Sequence, residues 1–146
     1  MKHQKIIFKL VLLFFVICNV KSVSSQEEGL INKTKSQIKL TETKQLYLQG
    51  NIKTALLNYK EVIALNPSIP KAHFGISRCY YKLHDYKKAK YHAEIAEKNN
   101  PKVDEDLYYL LGEIYFRLEK LKKSKTSYEK FVSEIKSKQK IKDYSI

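Results

Sequence analysis

The sequence predicts an all-helical chain made of three stacked helix–turn–helix units, and three observations carry that expectation. Residues 72–101 hold two short apolar stripes, one at Phe74, Ile76, Cys79, Tyr80 and Leu83 and one at Tyr86, Ala89, Ala93 and Ala96. Spacings of three and four are those of one helix face, and the break at His84-Asp85 between them is a tight turn, so the helices must fold back on each other. The same pattern recurs at a fixed period: Pro67 and Pro101, Ala55 and Ala89, and Val62 and Ala96 are each 34 residues apart. With 4 Gly, 3 Pro and no Trp among 146 residues, the chain has few breakers and suits long helical stretches better than a sheet.

From the start of the chain, residues 1–9 carry Lys2, Lys5 and Lys9 and no acid, residues 10–18 are an unbroken apolar run, and a small polar stretch follows. A basic start, a short apolar centre and a small-residue exit predict a secretory signal peptide over residues 1–25. The run is about half the ~20 residues that span a bilayer. The expected location is therefore the periplasm or the exterior, with an uncleaved N-terminal anchor or a lipidated Cys18 as the alternatives. Residues 26–35 read as an N-terminal extension. Of 28 basic residues, Lys2, Lys5, Lys9 and Lys21 fall in residues 1–25 and no acid does, so the mature chain would carry 24 basic and 15 acidic residues, a net +9. Two cysteines, Cys18 and Cys79, cannot make a disulfide framework, and Cys79 reads as a small buried thiol.

The repeating units follow at about 36–69, 70–103 and 105–136, with 137–146 as a basic tail. The turn Gly50-Asn51 lies 34 residues before His84-Asp85, whereas the third unit is offset by one residue, 35 from the second, with the extra residue near 102–104. The central unit carries Tyr80, Tyr81, Lys82, Asp85 and Tyr86, then Ala89 and Pro101. The third carries Leu111-Gly112 flanked by Tyr108 and Tyr115, then Ser124, Tyr128 and Phe131, and the first keeps Gly50, Ala55, Tyr59, Val62 and Pro67. On these residues the chain resembles the tetratricopeptide repeat family, whose unit has this 34-residue length. It departs from the family in having His73 and Lys39 at the early tryptophan position, and Glu42-Thr43 and Ile76-Ser77 in place of leucine–glycine. The resemblance implies a right-handed α-solenoid. It also puts Gly112, Ser77 and Thr43 opposite Ala55, Ala89 and Ser124 where paired helices cross, so larger residues there should overpack.

The resemblance further implies that the first helices of the units line a concave groove. Matching positions give one row of Leu40, Phe74 and Tyr109, a second of Tyr47, Tyr81 and Phe116, and a third of Lys44, Arg78 and Glu113, with Lys82 and Arg117 alongside. The expected groove has an aromatic floor and basic walls that turn acidic toward Asp106 and Glu113. Such a face suits a peptide with apolar anchors and some acidic residues. The family's clamp for a chaperone's terminal carboxylate is missing, because its positions hold Leu40, Lys44, Gly75, Asp106 and Leu110.

No catalytic set can be nominated, and no cofactor or metal is expected. His84 and His92, eight apart across a helix start, read as solvent-facing, and Asp104, Glu105 and Asp106 read as acids complementing a helix N-terminus. Gly29, Gly50, Gly75 and Gly112 are isolated, so no phosphate loop exists. The expected role is a non-catalytic interaction or scaffold module that binds a protein or peptide partner after export. A charge-driven binder of membrane surfaces or polyanions, peripheral and using the lysine-rich faces and tail, is the alternative. Nucleic acid is disfavoured by export. After Ile135 only Ile141 and Ile146 are apolar, so the third unit has no evident covering helix, and a homodimer or a partner is expected there.

Overall fold

The computed structural model describes residues 27–143. The expected signal peptide over residues 1–25, with Cys18, therefore lies outside the described residues. The chain divides into two compact units, Met1–Lys35 and Ser36–Ile146. In the first, residues 27–35 are helical. The second holds six helices in three hairpins: α1 (residues 36–48) with α2 (Ile52–Leu65), α3 (Pro70–Lys82) with α4 (Tyr86–Asn99), and α5 (Leu107–Arg117) with α6 (Leu121–Asp143). Among the described residues there is no strand, and no helix is long and apolar enough to cross a membrane.

Each hairpin turns in the same way. Gly50, His84 and Glu119 adopt left-handed φ values of 84°, 60° and 57°. In each case the residue at the turn and its successor bond back to the helix just ended: Gly50 N to Tyr47 O and Asn51 N to Leu46 O, both 3.0 Å. His84 and Asp85 bond likewise to Tyr81 and Tyr80, and Glu119 and Lys120 to Phe116 and Tyr115. This double bond back from a left-handed residue satisfies carbonyls that a helix end leaves without partners. Asp85 then caps α4, accepting from Lys88 N at 3.1 Å.

The loops between hairpins also repeat. Asn66 and Asn100 end α2 and α4 in extended conformation, and their side-chain carbonyls accept from Ser68 N and Lys102 N respectively. Ile69 and Val103, 34 apart, plug these loops, each 6% exposed. Pro70 then opens α3, where its missing N–H costs nothing. The extra residue of the third unit falls between Val103 and the start of α5 at Leu107. Asp104 makes a local turn, accepting from Asp106 N at 3.1 Å, and Glu105 pairs with Lys138 at 2.7 Å. Asp106, the residue just before α5, makes no side-chain cap bond to it.

The core runs continuously through Leu40, Val62, Phe74, Ile76, Cys79, Leu107, Leu111 and Ile114. Thr43, Ser77, Ala55, Ala89 and Ser124 are buried at the crossings, where Ser77 Oγ donates to Ala89 O at 2.8 Å and Ser124 Oγ to Gly112 O at 2.9 Å. Small hydroxyls therefore bring the paired helices close while keeping their own hydrogen bonds. Tyrosines fill the remaining space: the Tyr59 ring lies over Gly75, where an added Cβ would fall 2.3 Å away, and the Tyr128 ring over Gly112, at 2.6 Å. Cys79 is fully buried, and burial pushes its thiol up to about 12.

Candidate functional site

Two side chains of the first helices form the base of a cleft. Leu40 in α1 and Phe74 in α3 occupy matching positions and are 8% and 4% exposed, which makes them a floor rather than free anchors. One turn on, Lys44 and Arg78 match in the same way, and the Arg78 guanidinium lies 4.5 Å from the centre of the Tyr47 ring and 5.6 Å from that of Phe74. A cation held against two aromatic faces keeps its direction with little entropy left to lose on binding.

The cleft, about 840 Å³, is closed by parts of the chain that the sequence reading left out. Its walls include Lys71 at the start of α3, residues 102–105, and Glu134, Ser137 and Lys138 of α6. Helix α6 runs on to Asp143, so the stretch from 137 read as a tail forms a helical wall, locked by the pair between Lys138 and Glu105. Lys44, Lys71, Arg78, Lys102 and Lys138 face Asp104, Glu105 and Glu134, a basic excess of two. The signal for this wall was present in the Glu105 and Lys138 charges, but α6 has too weak an apolar stripe there to announce a buried role.

Of the residues expected to line one groove, Leu40, Lys44, Phe74 and Arg78 share this cleft, with Tyr47 supporting Arg78. The others form different groups. Tyr81 donates to Glu113 Oε2 at 2.7 Å and Tyr128 to Glu113 Oε1 at 2.5 Å. These two hydroxyls, Tyr128 first, hold the Glu113 carboxyl below its ordinary value, and Arg117 lies beside Tyr81. Tyr109 packs against Tyr128 and Phe131, with ring centres 6.0 and 5.5 Å apart. Phe116 opens onto the outer side of α6. Lys82 is exposed at the end of α3.

One pairing overturns a sequence expectation. His92 is not solvent-facing: it is half-buried, and its Nδ1 lies 3.0 Å from Nδ1 of buried His73. His73 Nε2 sits 3.1 Å from the Pro67 carbonyl and must donate to it, which leaves its Nδ1 to accept from His92. Burial first, then the charges of His73 and Lys60, lowers His92 to about 4. Among the described residues no three His, Cys, Asp or Glu converge as metal ligands would.

Helical hairpins stacked at a fixed interval, with a half-basic cleft across their first helices, define an α-solenoid of the kind that presents a surface to other molecules. Residues 105–136 match the family model of the tetratricopeptide repeat. The two preceding units repeat the same hairpin geometry, so the chain has the all-helical repeat fold of which that family's arrays are made. Solved structures share this fold. YrrB, described as a TPR protein with an unusual peptide-binding site, is 25% identical with a TM-score of 0.61 over 65% of this chain, which spans about half of it, 48%. The first TPR of Spaghetti (RPAP3), bound to the HSP90 peptide SRMEEVD, is 21% identical with a TM-score of 0.63 over 68% of this chain and 79% of its own. The TPR domain of Arabidopsis FLU is 17% identical with a TM-score of 0.63 over 73% of this chain and 98% of its own. No curated protein matches in sequence.

Proposed function

We propose that this protein is a non-catalytic interaction module that holds a peptide segment of a partner protein in the cleft between α1, α3 and the end of α6. The observation that carries this is Arg78, fixed between Tyr47 and Phe74 above an apolar floor. A peptide with a carboxylate for Arg78 and an apolar side chain for Leu40 and Phe74 satisfies both features. Lys44, Lys71 and Lys102 favour further acidic residues. Peptide binding by the relatives described above, YrrB and Spaghetti, supports the reading, while the absence of the carboxylate clamp directs it away from a chain-terminal carboxylate.

The test is titration of acidic peptides with one central leucine or phenylalanine, read by fluorescence anisotropy. Arg78→Ala should weaken binding by ~1.5–3 kcal/mol, tenfold or more, the usual value of a charge-assisted contact. Lys82→Ala, outside the cleft, should leave it unchanged. Equal losses in both variants, falling steeply with salt, would instead favour the charge-driven alternative. Export belongs to the same proposal and rests on residues 1–25. N-terminal sequencing of the protein from its host, finding a start near residue 23 or 26, is the result that supports it.

A further inference from the structure

Each hairpin is antiparallel and stacks on the one before it, so the three turns within hairpins share one edge of the array and the two loops between hairpins share the other. Neighbouring turns are close: Arg117 at the third lies beside Tyr81 and Tyr86, which flank the second. Charge is divided unevenly between the edges. Residues 48–54, 82–88 and 116–123 hold one, three and four Lys or Arg, all exposed, against Asp85 and Glu119. Among the described residues only Lys88 of these cations makes a salt bridge, to Asp85 at 2.7 Å. The loops 66–71 and 100–106 hold Lys71 and Lys102 against Asp104, Glu105 and Asp106. The lysines at the end of α6 reach that second edge, where Lys138 pairs with Glu105. Exposed apolar side chains join the cations at the turns: Leu48, Phe116 and Leu121 are 60%, 55% and 63% exposed, and Leu83 is 37% exposed.

We propose that the turn edge docks on the surface of a lipid bilayer carrying anionic headgroups, with the lysines among the phosphates and the exposed leucines and Phe116 just beneath them. Clustered cations supply the attraction to such a surface. The apolar side chains select a bilayer over a nucleic acid or another polyanion, which offers phosphates but no hydrocarbon to receive an aliphatic group. Lysine suits this layer because its methylene stem lies along the apolar region while the ammonium stays at the phosphates. The turns hold these groups in place, since each is closed by two backbone bonds to the helix it ends. Charge rises from the first turn to the third, so the third hairpin makes the strongest contact. The peptide cleft takes its walls from the other edge, at Lys71, residues 102–105 and Lys138, and so stands clear of the bilayer. A partner held there is presented at the membrane surface.

The chain has no Trp, so one introduced tryptophan reports where it meets lipid. Leu121→Trp and Ile135→Trp place the reporter at the turn edge and toward the loop edge of the same helix, about 21 Å apart by the helical rise. With the full chain and vesicles of phosphatidylglycerol and phosphatidylcholine, Leu121→Trp emission should shift to the blue and be quenched by brominated acyl chains, while Ile135→Trp stays unchanged. Replacing Lys87, Lys120 and Lys122 together by Gln should weaken partition into these vesicles about a hundredfold, with helical circular dichroism and peptide affinity unchanged. Equal shifts at both reporters, a shift at Ile135→Trp alone, no shift at either, or undiminished partition of the triple variant would overturn the proposal. So would binding of heparin or duplex DNA through the same lysines while vesicles leave the Leu121→Trp emission unmoved. Because none of these three lysines lines the peptide cleft, loss of lipid binding and loss of peptide binding are separate results.

Discussion

At the scale of single residues, the close approaches at glycine decide how tightly a hairpin shuts. A Cβ on Gly112 would meet the Tyr128 ring at 2.6 Å, and that ring is pinned by its hydroxyl's bond to Glu113. Alanine gains about 1 kcal/mol of helix propensity over glycine, while overpacking costs ~1–3 kcal/mol. The clash should win: Gly112→Ala is expected to lower stability by about 1 kcal/mol in chemical denaturation, and the same change in a Tyr128→Leu background to be neutral or stabilising. His92 supplies a pH effect. Its folded value of about 4 lies below the 6.5 of an ordinary histidine, so between these the unfolded chain binds the extra proton. Stability should be unaffected by this group above pH 6.5 and should fall as pH drops toward 4. Melting curves across that window should lose part of their slope in His92→Gln. Neither the histidine pair nor the grip on Glu113 was legible in the sequence, because partners 15 to 32 residues apart meet only when helices pack. Cys79, by contrast, sat on an apolar stripe, and its burial followed from that.

At the scale of elements, the three turns differ in chemistry though not in shape. Gly50 takes its left-handed φ without strain, whereas His84 and Glu119 hold φ values of 60° and 57° with a Cβ in the way. Glu119→Gly should therefore stabilise the third hairpin by about 0.5–1 kcal/mol, the relief of strain exceeding the entropy glycine adds to the unfolded chain. A higher melting midpoint is the expected reading. The hairpins themselves were legible because the period of 34 fixed where each turn falls, and the small residues marked each crossing. The placement of the extra residue was less so. Asp104 and Asp106 suggest a cap, and only the buried Val103, matching Ile69, shows that the chain lengthens after it.

At the scale of the whole molecule, the last helix joins the two ends of the site. Its residues 134–138 close a cleft whose floor comes from α1 and α3, far away in sequence. A chain ending after residue 136 loses Ser137 and Lys138 and the pair with Glu105. It should keep its melting midpoint within a few degrees, since an exposed pair contributes about 1 kcal/mol or less, yet bind cleft peptides several-fold more weakly. Calorimetry and anisotropy on one sample distinguish the two effects. The floor of this site was legible through matching positions, and its far wall was not. An exposed lysine-rich segment carries no apolar signal to show which way it turns.

The loops at Asn66 and Asn100 and the turns at Gly50, His84 and Glu119 each satisfy their own backbone groups with neighbours a few positions away. The backbone bonds of a joint are made without a distant part of the chain. A gene duplication that copied residues 70–103 in frame would therefore insert a finished module, its joints already closed. The array could grow by such steps without relearning how to fold, and its cleft would lengthen with every addition.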